Sequence, residues 1–163
     1  AAKARENGLD LTLTLIGGGK GWTRKLLDNT VKQYDPDGAF VYQKEFLDKP
    51  EIINEFRRMH VFIYASTCEN LPITLLEGMA AGLPIICSNY RPMTDLLGNA
   101  GIYFDPLNFP SLTDAIEEYS SDQALMLKMG ERAKRRAQQF SWTKCANSTF
   151  NFLNQLHLGI VKK

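Results

Sequence analysis

VFIYASTCENLPITLLEGMAAGLPIICSN, residues 61–89, carries in one window the alternation from which the fold is read. Val61 to Ala65 and Pro84 to Ser88 are short continuous apolar runs, the pattern of strands covered on both faces. Between them, Pro72 to Ala81 reads as a helix. A proline suits its first turn, where an N–H would have no partner, and Gly82 supplies a left-handed stop. Strands alternating with helices in this way argue for a parallel sheet covered on both faces.

The same alternation extends outward. LTLTLIG (11–17) is an apolar strand ending in the triple glycine Gly17-Gly18-Gly19, and Trp22 to Tyr34 has helical spacing. Asp35-Pro36-Asp37-Gly38 is a turn, and residues 39–43 form the next strand. Asp48, Pro50 and Glu51 give a capping-box start to a helix with Ile52, Ile53 and Phe56 along one face. Met93 to Leu97 allows a short helix, and residues 101–104 form a strand. Beyond Phe109 three helical stretches follow, 109–120, 122–139 and 141–157, with Ser121 or Asp122 and then Ser141 as caps. The expectation is one α/β domain over residues 1–163, a Rossmann-like parallel sheet with helices on both faces, ending in helices. Residues 1–7 read as the last turns of a helix stopped at Gly8, so the domain's first strand is expected upstream of this chain.

Composition narrows the function. The 163 residues are 44% hydrophobic, enough for one sizeable core, and the formal charge is +1, which draws the chain to neither nucleic acid nor an anionic membrane. Cys68, Cys87 and Cys145 are widely spaced with no histidine pair to complete a metal site, fitting reduced thiols in a cytoplasmic protein. His60 and His157 read as solvated. No apolar run approaches eighteen residues, so neither a membrane span nor a secretion signal is expected.

Parallel sheets bind ligands at the carboxyl ends of their strands, so the loops after the strands are the places to search. The richest follows Ala65. Glu69 sits in that loop, and Glu77, after seven intervening residues, lies a turn inside the following helix. The helix start offers unpaired N–H groups and a positive dipole end, a cradle for phosphate. Pro72 has no N–H, which makes Ile73 and Thr74 the expected donors. Glu77 suits a vicinal diol such as ribose, leaving Glu69 to face a reacting sugar. Gly17 to Lys20 fits neither G-x-G-x-x-G nor the P-loop and is assigned a secondary role in lining the cleft. Cys68 lacks an activating histidine and is read as a packing residue. The basic run Lys128, Arg132, Lys134, Arg135 and Arg136 is read as a solvated helix face.

The pattern S-x-x-E-N-L-P-x-x-L-L-E-x-M-A-x-G-x-P, from Ser66 to Pro84, resembles the signature of family 4 (group 1) retaining glycosyltransferases with the GT-B fold. LTLIGGG, residues 92–106 and residues 132–146 are similar to further segments of that family's C-terminal, donor-binding domain. The resemblance implies that Glu69 contacts the donor sugar near its anomeric carbon. It also implies that Glu77 binds the ribose hydroxyls, that the Ile73 and Thr74 amides meet the diphosphate, and that Asn70, Leu71, Gly17, Gly18 and backbone near Leu47 complete the donor site. No metal or other cofactor is implied. The partners implied are a UDP- or GDP-sugar donor and a saccharide or lipid-linked acceptor held by an N-terminal domain, with peripheral membrane association of the full-length enzyme. The basic run would be where such an enzyme touches acidic headgroups. Trp142 is expected to anchor the terminal helix, and the family's Arg and Lys diphosphate clamp is expected upstream, so that this chain alone is nearly inactive. Three positions depart from the family pattern: Gly78 replaces a common alanine, at about 1 kcal/mol of helix propensity, His60 stands where aspartate is usual, and Lys44 to Leu47 lacks a glycine. Two rivals share the pattern of elements, a sugar-nucleotide epimerase of the same fold and a non-catalytic, flavodoxin-like binding module.

Overall fold

The computed structural model describes residues 1–157 and 159. Its elements run α1 (Ala2–Glu6), β1 (Leu13–Ile16), α2 (Trp22–Tyr34), β2 (Val41–Lys44), α3 (Lys49–Arg58), β3 (Phe62–Tyr64), α4 (Ile73–Ala81), β4 (Ile85–Ser88), α5 (Met93–Leu97), β5 (Ile102–Phe104), α6 (Phe109–Ser121), α7 (Gln123–Ala137) and α8 (Trp142–His157). Each expected strand and helix is present, with ends shifted by two residues at most.

The single sheet expected from sequence is instead two parallel ladders, β1–β2 and β3–β4–β5. In the doubly wound order 3-2-1-4-5-6 the first strand lies between the second and the fourth. The ladders β2–β1 and β3–β4–β5 match the 3-2 and 4-5-6 portions of that order, and one edge of β1 and one edge of β3 are without a ladder partner among the described residues.

The core is built around β4, whose four residues are all buried. Ile85 and Cys87 point to one side, where Leu75 and Met79 of α4, Met93 and Leu97 of α5 and Ala133 of α7 close over them. Ile86 points to the other, against Phe104, Ala115 and Tyr119. This period-two division puts helices on both faces, as the continuous apolar run PIICS implies. The Tyr119 hydroxyl donates to the Ile85 carbonyl at 3.1 Å, satisfying its own buried polar end.

Local sequence sets the helix ends. Asp48 and Glu51 form the reciprocal capping box at α3, the Asp122 side chain caps α7 through the Leu125 N–H, and Ser141 accepts from the Lys144 N–H. Gly82 closes α4 at φ 79°, a backbone region open to glycine. Asp35, read as a turn residue, does more. Its carboxylate accepts from the Ala39 and Val41 N–H groups at 2.8 Å and from Phe40 at 3.1 Å, so it sets the entry to β2. Burial acts to raise this carboxyl's pKa, but the three backbone N–H groups and Arg5 outweigh it and hold the value below normal.

Trp142, expected to anchor the terminal helix, is 71% exposed, and every described residue of α8 is exposed. The basic run on α7 is not wholly solvated: the Arg136 guanidinium donates to the Leu96 carbonyl and, at 2.7 Å, to the Asp95 carbonyl, taking up orphan carbonyls at the end of α5. The departure at Gly78 has a structural cause. A Cβ there would stand 2.6 Å from the Phe62 ring, which packs edge-on to Phe56.

The Gly78→Ala variant gains about 1 kcal/mol of helix propensity and loses about 1–3 kcal/mol to overpacking. Its melting temperature is expected to fall by a few degrees, and the same change made beside Phe62→Leu is expected to stabilise. A higher melting temperature for the single variant would contradict the packing. Asp35→Asn should lower the melting temperature at pH 7. Because the folded pKa is depressed, the wild-type advantage is complete above the unfolded carboxylate value of about 3.9 and shrinks as pH falls through the folded one. Thermal scans from neutral to acid pH check this; a gap independent of pH rules it out.

Candidate functional site at the carboxyl end of β3

β3 ends at Tyr64, and residues 65–72 carry the chain to α4. This loop is tied at several points. Ser88, fully buried at the end of β4, donates its hydroxyl to the Ser66 carbonyl. The Ser66 hydroxyl is 3.3 Å from the Cys68 carbonyl, and the Tyr64 hydroxyl donates to Glu69 Oε1 at 2.7 Å. Glu69, half-buried, is thereby held at the loop's end by groups rooted in two adjacent strands. The Tyr64 phenol first, then the Ser66 hydroxyl, keep its carboxyl below the usual range against a smaller desolvation effect. Burial and the facing carboxylate push the Tyr64 phenol up, so it stays a protonated donor.

Asn70 and Leu71 are exposed, and Pro72 is buried as the residue preceding α4. The Ile73 N–H, one of the two expected phosphate donors, is already given to the Leu71 carbonyl at 2.9 Å. That bond tightens the entry to α4 and leaves Thr74, exposed in the first turn, as the donor of the pair. Glu77 is half-buried on the same helix, roughly 6 Å further along its axis than Ile73. Glu69 to Glu77 thus form one continuous segment on the carboxyl side of β3.

The remaining expected residues follow the other ladder. Ile16 pairs with Lys44, so the exposed Gly17 and Gly18 and the segment leading to half-buried Leu47 leave β1 and β2 at the same sheet edge. Lys44 at that edge is bound to Glu55 of α3 at 2.6 Å, which commits its charge to the fold. Among the described residues no group of three His, Cys, Asp or Glu side chains is placed to hold a metal ion. Two surface concavities, of 410 and 230 Å³, lie at the opposite end of the strands. One is lined by Asn7, Leu9 and Glu117, the other by Asn99, Arg132 and Arg136.

Cys68 is exposed and so is not the packing residue expected; Cys87 is the buried thiol. Tyr64 is the site residue that sequence reasoning missed. VFIYA reads as an apolar strand, and the one sign was a hydroxyl-bearing residue as its last ladder position, five residues before a glutamate.

Residues 1–136 match the family described as glycosyl transferases group 1. The chain belongs to that family. It is 26% identical over 137 residues to O-antigen chain mannosyltransferase B of Escherichia coli, a match covering 84% of this chain and 36% of that enzyme. The chain spans about a third of the length of the first curated relatives it matches. Its fold is that of a GT-B glycosyltransferase domain. A sucrose-phosphate synthase from Thermosynechococcus elongatus superposes with a TM-score of 0.82 at 22% identity, over 97% of this chain and 41% of that one. An Anabaena protein solved in complex with UDP and glucose superposes at 0.80 and 17% identity, over 93% and 43%.

Thiol accessibility tests the loop geometry. In the native protein Cys68 and Cys145 should react with a thiol reagent at neutral pH. Cys87, whose pKa burial pushes up to about 12 with Ser88 opposing, should react only after denaturation. Mass spectrometry of the labelled chain gives the count, and native labelling of Cys87 would contradict the burial of β4.

Proposed function

We propose that this chain supplies the donor site of a glycosyltransferase of family 4 that transfers a sugar from a nucleoside diphosphate sugar to an acceptor hydroxyl with retention of configuration. The observation that carries the reading is Glu69, held ionised in the loop after β3, ahead of a helix that offers Thr74 in its first turn and carries Glu77 a turn later. In this reading the open first turn of α4 meets the diphosphate through the Thr74 amide, since Ile73 is engaged. Glu77 accepts from the ribose hydroxyls. Glu69 stands by the anomeric carbon, where a carboxylate stabilises the positive charge that develops as the sugar departs. Gly17, Gly18 and Leu47 line the nucleotide side, and Asn70 and Leu71 the sugar side. UDP is the leading candidate for the nucleotide because a fold neighbour was solved with UDP and glucose. The acceptor, a saccharide or lipid-linked hydroxyl, is held by a second domain, and no metal takes part because protein groups neutralise the leaving diphosphate. The enzyme is cytoplasmic, with the whole protein at the inner face of the membrane, and works in polysaccharide assembly.

The test is made in the full-length enzyme. Glu77→Ala should weaken binding of UDP or GDP, read by calorimetry, by roughly 10- to 100-fold, as expected for a lost charged hydrogen bond. Glu69→Gln should leave that affinity within about twofold and lower kcat by at least 100-fold, with the anomeric configuration of the wild-type product read by NMR. Unchanged nucleotide affinity in Glu77→Ala would favour a binding module with a decorative acidic pair. Release of an altered free sugar nucleotide without acceptor would mean an epimerase.

A further inference from the structure

We propose that Tyr64 is a positioning residue for Glu69, its phenol fixing one carboxylate oxygen so that the other faces the reacting sugar. The proposal rests on the reading of Glu69 given above.

Tyr64 is the last ladder residue of β3, in register with Cys87 of the fully buried β4. On a strand it shares a face with Phe62, and the two rings lie 6.0 Å apart at 51°. Both pack against the cluster formed by Phe56, Leu75, Met79 and Cys87. The ring therefore stands on a rigid element with its rotamer set by packing, which is what a group that orients another must have. Its hydroxyl donates to Glu69 Oε1 at 2.7 Å, the length of a hydrogen bond to an ionised acceptor.

The alternative, that this bond only closes the loop, is weakened by what else closes it. Ser88 holds the Ser66 carbonyl from β4, and Ser66 approaches the Cys68 carbonyl, so the backbone of residues 66–68 is fixed without Tyr64. The phenol instead meets the one side chain in the loop that carries charge. Oε1 of Glu69 is thereby committed to the protein, and in this proposal the second oxygen is the one that meets substrate. A carboxylate so held cannot swing toward water or pick up a proton as readily, and both effects favour a fixed negative charge beside a developing cation.

The experiment compares Tyr64→Phe and Glu69→Gln in the full-length enzyme, with Tyr64→Met as a second variant lacking the donor should the phenylalanine form fail to accumulate. Read-outs are melting temperature, UDP and GDP affinity, kcat and KM for the sugar nucleotide turned over, and the pH profile of kcat/KM. Loss of the phenol should lower kcat about 10- to 100-fold, with KM and nucleotide affinity within about twofold. Glu69 must be ionised to act, and losing the hydrogen bond raises its pKa, so the acid limb of the profile should move to higher pH. Wild-type kcat and an unmoved acid limb in Tyr64→Phe, with Glu69→Gln inactive, overturn the positioning role alone. A fully active Glu69→Gln overturns the reading of Glu69 and the role of Tyr64 with it. A Tyr64→Phe that lowers kcat only in proportion to folded protein, with the pH profile unchanged, assigns the bond to stability and also overturns the proposal.

Discussion

The burial of β4 on both faces is the constraint on which the rest of the molecule hangs. A strand of four residues with no exposed side has to be covered by helices above and below, and Ile85 and Cys87 on one side and Ile86 on the other fix which helices those are. Burying apolar surface of this extent contributes several kcal/mol at about 25 cal/mol per Å². More to the point for function, it immobilises β3 and β4, to whose ends the site loop is tied. Ser88 at the end of β4 and Tyr64 at the end of β3 both reach into that loop, so the position of Glu69 is inherited from the core.

The helices packed on this strand show how function and packing share residues. α4 presents Leu75 and Met79 to the core and Glu77 toward its partly exposed side. Its glycine at position 78 admits the Phe62 ring at a distance a methyl group would forbid. Phe62 in turn lies against Tyr64. A residue that departs from the family pattern and costs helix propensity is thus part of the packing that seats the site's phenol. The helix start is shaped by the same economy of space: with Pro72 buried and the Ile73 N–H turned back to Leu71, the first free donor of the turn moves to Thr74.

At the other ladder the chemistry is more diffuse. Gly17 and Gly18 are exposed, Leu47 is half-buried, and the cations nearest them on β2 and α2 are engaged, Lys44 by Glu55 and Arg24 by Asp28. These two cations are held in ion pairs within the fold.

The sequence by itself determined the element order, the buried character of residues 84–88, the capping of α3 and α7, and the placing of Glu69 and Glu77 on either side of a helix start. All of these are encoded within a few residues, in apolar period, capping chemistry and motif spacing. Only the tertiary structure decided that the strands form two ladders, because strand order depends on partners distant in sequence. It also decided that Cys68 faces solvent while Cys87 is buried, that Arg136 closes α5 across forty residues, and that Ile73 has spent its amide. The bond from Tyr64 to Glu69 belongs to the same class. A tyrosine at a strand end looks like one more core residue until the return of the loop brings a carboxylate to its hydroxyl.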